Sequence, residues 1–147
     1  MTNPIVQFRR LSQSASKPEY QSLNASGLDL AADLSAPLVL DPLARAAVPT
    51  GLALEIPPGY EGQVRPRSGR AIAEGLTLIN SPGTIDADFR GEIRVLVINL
   101  GDQPIEIRPG DRIAQLVICP VVRADLVEAD PLGESSRGEG GFGHTGR

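Results

Sequence analysis

The stretch Leu76-Thr77-Leu78-Ile79-Asn80-Ser81-Pro82-Gly83-Thr84-Ile85-Asp86-Ala87-Asp88-Phe89-Arg90-Gly91-Glu92-Ile93-Arg94-Val95-Leu96-Val97-Ile98-Asn99 decides the fold. Ile93 to Asn99 is the most strand-like run in the chain, and Leu76 to Asn80 is a second strand candidate. Between them, Gly83 to Glu92 is turn-rich at both ends and carries Asp86 and Asp88. The pattern predicts a β-hairpin with Asn80, Asp86 and Phe89 near its tip. A carboxylate fixed on a tight loop can accept a proton or organise water. The plain alternative is a turn whose Asp side chains bond their own backbone.

Composition points the same way around this hairpin. A chain of 147 residues is long enough for one domain with a real core. Aromatics make up only 3%, so the core must come from Val, Ile, Leu and Ala. The 16 glycines and 13 prolines punctuate apolar runs instead of forming a tract. Many short strands joined by turns, an all-β barrel or sandwich, is the expected architecture. A net charge of −4 argues against general nucleic-acid binding. No apolar run is long enough to span a membrane and no signal-like segment opens the chain, so a cytoplasmic protein is the default expectation. The single cysteine, Cys119, sits in an apolar run and reads as a small buried hydrophobe.

Taken in order, strands are predicted over 5–11, 26–32, 38–40, 52–56, 76–80, 93–100, 105–107 and 113–118, with a last weak strand over 121–127. Pro49-Thr50-Gly51 reads as a turn. One short helix is expected over Ala71 to Glu74, stopped by Gly75 and entered from Ser68-Gly69. Its free backbone N–H groups would make an anion site of that loop. From Val95 onward the strand is apolar on both faces, which asks for cover on both sides and hints at an oligomer. Gln115 is a lone amide in an apolar strand, either satisfied by backbone or facing a site. Arg137 to Arg147 holds five glycines around Phe142. It is either a disordered terminus or a flap with Phe142 as a stacking plate and Arg137 as its charge. The glycines loosely match phosphate-loop motifs, but the strand and helix those motifs need are missing.

A serine–glycine loop with Arg67, a carboxylate on a hairpin tip, a buried Gln115 and an Arg/Gly/Phe segment suit a polyphosphate, a base and an activated water. Together they suggest a nucleotide hydrolase.

The ordered set resembles the trimeric dUTPase family over about residues 24 to 146. Five motifs carry the resemblance: Ser26-Gly27-Leu28-Asp29-Leu30; Pro66-Arg67-Ser68-Gly69; Asn80 with Gly83-Thr84-Ile85-Asp86-Ala87-Asp88-Phe89-Arg90-Gly91; Pro109-Gly110-Asp111-Arg112-Ile113-Ala114-Gln115; and Arg137-Gly138-Glu139-Gly140-Gly141-Phe142-Gly143. The resemblance implies an all-β, jelly-roll-like β-barrel with one short helix over residues 1–132. A flexible Gly-rich flap over 133–147 would complete an active site shared within a homotrimer. It implies hydrolysis of dUTP to dUMP and pyrophosphate with Mg²⁺, which limits uracil in DNA and supplies dUMP. Asp86 matches the general base. Arg67, Ser68, Gly69 and Gln115 match phosphate contacts. Asn80, Gly83, Thr84 and Ile85 match the uracil-reading edge, and Phe89 the aromatic against the deoxyribose. Arg137 matches the γ-phosphate grip, and Phe142 with Gly143 the stacking flap. No protein side chain is expected to bind Mg²⁺ directly, with Asp29 orienting one of its waters. Arg94 either reaches the nucleotide or lies on a solvated strand face.

Three residues depart from the family pattern. Phe89 stands where tyrosine is frequent, and its ring would still exclude a 2′-hydroxyl. Arg70 stands where an apolar residue is common, close to the phosphate loop, where it either tightens triphosphate binding or sits in solvent; solvent is the expectation. His144, the only histidine, replaces a small hydroxyl residue and either hydrogen-bonds a phosphate or is an exposed flap residue; the exposed flap residue is the expectation. A dCTP deaminase-like enzyme would want different hairpin residues at the base. A non-catalytic nucleotide switch would be expected to lose Asp86, Arg137 or Phe142. A purely structural trimer leaves the loop at Ser68 and the flap unexplained.

Overall fold

The computed structural model describes residues 3–141. Eleven strands and one helix follow in order: β1 (Gln7–Arg10), β2 (Glu19–Tyr20), β3 (Leu28–Ala31), β4 (Leu38–Leu40), β5 (Arg45–Glu55), β6 (Tyr60–Arg65), α1 (Ser68–Glu74), β7 (Leu76–Leu78), β8 (Gly83–Ile85), β9 (Glu92–Asn99), β10 (Ile105–Ile107) and β11 (Arg112–Pro120). They pair into three sheets, ordered β1-β5-β9-β7, β10-β4 and β2-β3-β11-β6-β8, with every pairing antiparallel. The expected all-β architecture with one short helix is what forms. All three sheets turn an apolar face onto one core, where Leu30, Val48, Leu52, Ile93, Val95, Ile107, Ala114 and Leu116 are essentially inaccessible. Period-two alternation accounts for this, most cleanly on β9, where Ile93, Val95, Val97 and Asn99 point inward.

The predicted hairpin exists but is richer than a tip. β7 and β9 pair with Leu78 opposite Val97. The connecting segment then leaves that sheet, and β8 adds to the edge of the five-stranded sheet with Thr84 opposite Gln63. The loop carrying Asp86 is thereby anchored in two sheets. The turn expected at Pro49-Thr50-Gly51 is not a turn. β5 runs through it as a bulge, where the register against β9 shifts between Pro49 and Ala53. The Thr50 hydroxyl donates to the Ile93 carbonyl at 2.6 Å, and the Gly51 amide donates to Glu92 Oε1 at 3.1 Å. Gly51 has φ +65°, and a Cβ there would sit 2.3 Å from Asp33 Oδ2, so glycine serves the bulge.

The second apolar face of β9 is only partly open in a single chain, with Leu96 exposed and Ile98 half-buried. The weak strand expected over 121–127 does not form: these residues are exposed and unpaired with any strand of the described chain. Cys119 is half-buried, not buried, because it lies near the outer end of β11 beside Arg65. No helix among the described residues is long and apolar enough to cross a membrane.

Among the described residues, Asn99 ties β9 to the β4 layer by polar bonds inside the core. It is fully buried; Nδ2 donates to the Leu40 and Gln103 carbonyls at 2.9 and 2.8 Å, and Oδ1 accepts from the Gly101 amide at 2.8 Å. Asn99→Leu strands these groups without partners, and a loss of about 3 kcal/mol is expected in chemical denaturation.

Candidate active site

Asp29, Gln115 and Arg65 lie side by side across three strands, because Gln115 on β11 is opposite both Asp29 on β3 and Arg65 on β6. Cross-strand partners share a face. Their neighbours Leu30, Ala114 and Leu116 are buried on the other face, so this row looks out from the five-stranded sheet. Gln115 is half-buried, and its Nε2 donates to the Pro66 carbonyl at 3.0 Å. Both sequence alternatives for it therefore hold, since it is satisfied by backbone and also lines a cleft. Its amide packs over Gly27, where a Cβ would lie 2.3 Å from Oε1.

The chain leaves β6 into α1, and Arg67 turns back onto the row. Its Nε meets Asp29 Oδ1 at 3.0 Å, and Arg112 Nη1 meets Asp29 Oδ2 at 2.9 Å. Arg67 Nη1 also donates to the Arg112 carbonyl at 3.3 Å. One carboxylate thus holds two guanidinium groups, each with further N–H donors to offer. Ser68 and Gly69 are exposed at the start of α1, nothing lies within 4 Å of a Cβ built at Gly69, and no side chain caps the helix. The first amides of a helix have no intrahelical acceptor. A cleft of about 430 Å³ opens here between Ser26-Gly27, Asp29, Arg67-Ser68-Gly69-Arg70 and Gln115. Its chemistry is that of an anion receptor.

Arg112 was missed as an individual residue, although its motif was visible. Strict alternation would put it on the buried side with Ala114, but β11 carries a register shift between Arg112 and Ala114 that turns it outward. Arg70 is corrected too. It is not in solvent: its side chain is 16% exposed and lies against Glu74 and Asp111.

The hairpin residues stand elsewhere on the surface. Asp86 follows β8 and is exposed, and neither Asp86 nor Asp88 makes a side-chain hydrogen bond among the described residues. The turn behind it is held by the Phe89 amide on the Asp86 carbonyl at 3.1 Å. Arg90 Nη1 reinforces it by donating to the Ala87 and Phe89 carbonyls at 2.7 and 3.0 Å. Phe89 is 41% exposed and packs over Gly91, where a Cβ would come within 2.6 Å of Cζ. Asn80 lies against Gly83, its Nδ2 2.9 Å from a Cβ built there. Thr84 is exposed and Ile85 half-buried. Arg94 is exposed and paired with Glu92 at 2.9 Å.

Within one chain, the two groups do not converge. Ile85 is level with Gly62 and Gln115 with Arg65, and β6 stands between β8 and β11. Two strand spacings and three residues of rise put their backbones about 14 Å apart. The cleft at Gln115 has no hairpin residue in its lining. Arg137 is exposed and donates to the Gly140 carbonyl at 2.6 Å in its own turn. Phe142, Gly143 and His144 lie outside the described residues.

A nucleotide-handling β-protein is the class this arrangement defines, and comparison with known proteins gives the family. The family model described as dUTPase matches residues 13–146. The chain belongs to the dUTPase family. It is 55% identical over 146 residues to the deoxyuridine 5′-triphosphate nucleotidohydrolase of Syntrophotalea carbinolica, covering 99% of each chain. Its fold is similar to that of the Staphylococcus bacteriophage 80alpha dUTPase bound to dUpNHpp, with TM-score 0.88 and 29% identity over 97% of this chain and 99% of that one. A variant dUTPase from phage phi11 of S. aureus, described with a structural Mg(II) ion, aligns with TM-score 0.80 and 26% identity, covering 88% of this chain and 99% of that one.

Proposed function

We propose that the chain hydrolyses dUTP to dUMP and pyrophosphate in a site built between subunits of a homotrimer, with Asp86 as the base. The family supports the reaction. The observation that carries the site is the cleft at Asp29, where two arginines share one carboxylate beside Ser68, Gly69 and Gln115. A triphosphate is the anion that fits such a receptor. Arg67, Ser68, Gly69 and Gln115 bind its phosphates, and Arg112 adds a second cation. Asn80 and the backbone of Gly83, Thr84 and Ile85 read the uracil edge, Phe89 covers the deoxyribose, and Arg94 reaches the nucleotide. The flap, residues 133–147, brings Arg137 to the γ-phosphate and Phe142 with Gly143 over the base. Asp86 takes a proton from water, the oxygen attacks the α-phosphorus, and the bond to the bridging oxygen breaks to release pyrophosphate.

The separation of hairpin and cleft supports a shared site, since a second chain must supply one of them. The outer face of β9 and the apolar Val122, Leu126, Val127 and Leu132 beyond β11 supply surface for such contacts. Among the described residues no cluster of three or more His, Cys, Asp or Glu forms a metal cage. Both Asp29 oxygens are on guanidinium groups, and each retains a lone pair for a water of an ion that arrives with the triphosphate. Mg²⁺ would fit that role: the phosphates and water would hold it, Asp29 would orient one of its waters, and it would supply charge neutralisation.

Product analysis tests the reaction. With Mg²⁺ present, dUTP is expected to give dUMP and pyrophosphate, while UTP, dCTP and dTTP stay intact by phosphorus resonance and base absorbance. Deamination of dCTP, or binding of dUTP without any product, would overturn it.

A further inference from the structure

α1 has little to hold it in place. It is seven residues long, buries none of its side chains and has no side-chain cap at its start. A helix of that length has no stability of its own in water. Yet the turn entering it carries Arg67, Ser68 and Gly69, whose positions matter to a fraction of an ångström if they receive a phosphate.

Its side-chain links to the rest of the fold are electrostatic. Arg67 is tied to Asp29. One turn on, Arg70 is largely buried, with Nε and Nη2 at 2.8 and 2.7 Å from Glu74 Oε2 and Nη1 at 3.6 Å from Asp111 Oδ2. Asp111 is itself fixed, because the same Oδ2 accepts the Arg108 amide at 3.0 Å. The next residue, Arg112, is bound to the Asp29 carboxylate that also holds Arg67. The links close a ring: Arg67 to Asp29 to Arg112, along the chain to Asp111, across to Arg70, and back down the helix to Arg67. Arginine suits the crossing, since its rigid planar fork presents separate nitrogens to Glu74 and Asp111, where an ammonium would have to reach both from one flexible point.

We propose that Arg70 is a positioning residue for the phosphate loop. By bridging Glu74 and Asp111 it locks α1 against the turn before β11 and so fixes Arg67, Ser68 and Gly69 relative to Gln115. The inference rests on that loop being the triphosphate receptor. Arg70 borders the cleft, but its guanidinium is engaged by Glu74 and Asp111, so it holds the loop and not the phosphate.

The test compares Arg70→Met, Asp111→Asn and the double variant, with Arg67→Ala as the control on the receptor itself. Asparagine at 111 keeps an oxygen for the Arg108 amide and removes only the charge. Each single variant is expected to raise KM for dUTP about fivefold with kcat within about twofold. The double variant is no worse than either single, because both break one link. Arg70→Lys stays impaired. Melting temperature is expected to be nearly unchanged, as half-exposed ion pairs add little to stability. Should Arg70→Met fail to fold, Arg70→Gln gives the same signature. If Asp111→Asn lowers KM while Arg70→Met raises it, Arg70 is a direct phosphate contact and the proposal falls. It also falls if neither substitution moves KM. Wild-type kcat/KM in Arg67→Ala would overturn the receptor and, with it, the role of Arg70.

Discussion

Asp86→Asn is expected to stop turnover and leave dUTP bound. The substitution keeps the shape of the side chain and removes only its capacity to take a proton. Asp86 is exposed and makes no side-chain hydrogen bond among the described residues, so no neighbour is orphaned and no fold contact is lost. The turn that presents it is held by backbone and by Arg90, neither of which the change touches. A kcat lower by about 10³-fold is expected, within the range that a positioned base supplies. Affinity for dUpNHpp, measured by calorimetry, should stay within about threefold of wild type, since the phosphate receptor is on other elements. Asp88→Asn is the companion measurement. It sits on the same turn with the same charge, so retained activity there separates a specific base from a general need for negative potential. An Asp86→Asn enzyme within tenfold of wild type would move the base elsewhere.

How far the sequence carried depends on which forces set each feature. β9, β10, β11 and α1 were legible because alternation, turn residues and the helix stop at Gly75 are local signals. Pro49-Thr50-Gly51 was misjudged because its stability as a bulge comes from Thr50 and Glu92 bonding across to another strand, and no local pattern encodes that. Val121 to Val127 has strand composition but finds no partner strand among the described residues, so composition alone misled. The site followed the same division. Asp29, Arg67, Gln115 and Asp86 could be picked out by motif. Arg112 and Arg70 stood in or beside those motifs, but their ion pairs could not be read there, because they depend on a register shift in β11 and on a bridge between segments some forty residues apart.

Two inactive variants mixed together are expected to recover activity. Asp86→Asn removes the base and Arg67→Ala removes the phosphate grip, and each alone should leave a nearly dead enzyme. Within one chain these residues belong to surfaces that do not meet: the hairpin edge at β8 on one side, the cleft between β3, β11 and α1 on the other. If every site takes its hairpin from one subunit and its cleft from another, a mixed trimer contains sites in which both contributing surfaces are intact. With equal amounts and random assembly, about a quarter of sites draw Asp86 from an Arg67→Ala chain and Arg67 from an Asp86→Asn chain. Co-expression with two different tags, followed by sequential affinity capture, isolates the mixed species for assay; each mixed trimer holds one such site, so dUTP hydrolysis at about a third of wild type is the expected result. Activity no higher than in the separate variants would mean that each chain closes its own site. Asp86, one residue beyond Ile85, would then have to close a gap at least as wide as the about 14 Å between the Ile85 and Gln115 backbones, which two strands hydrogen-bonded to β6 cannot give up without unravelling the edge of the sheet.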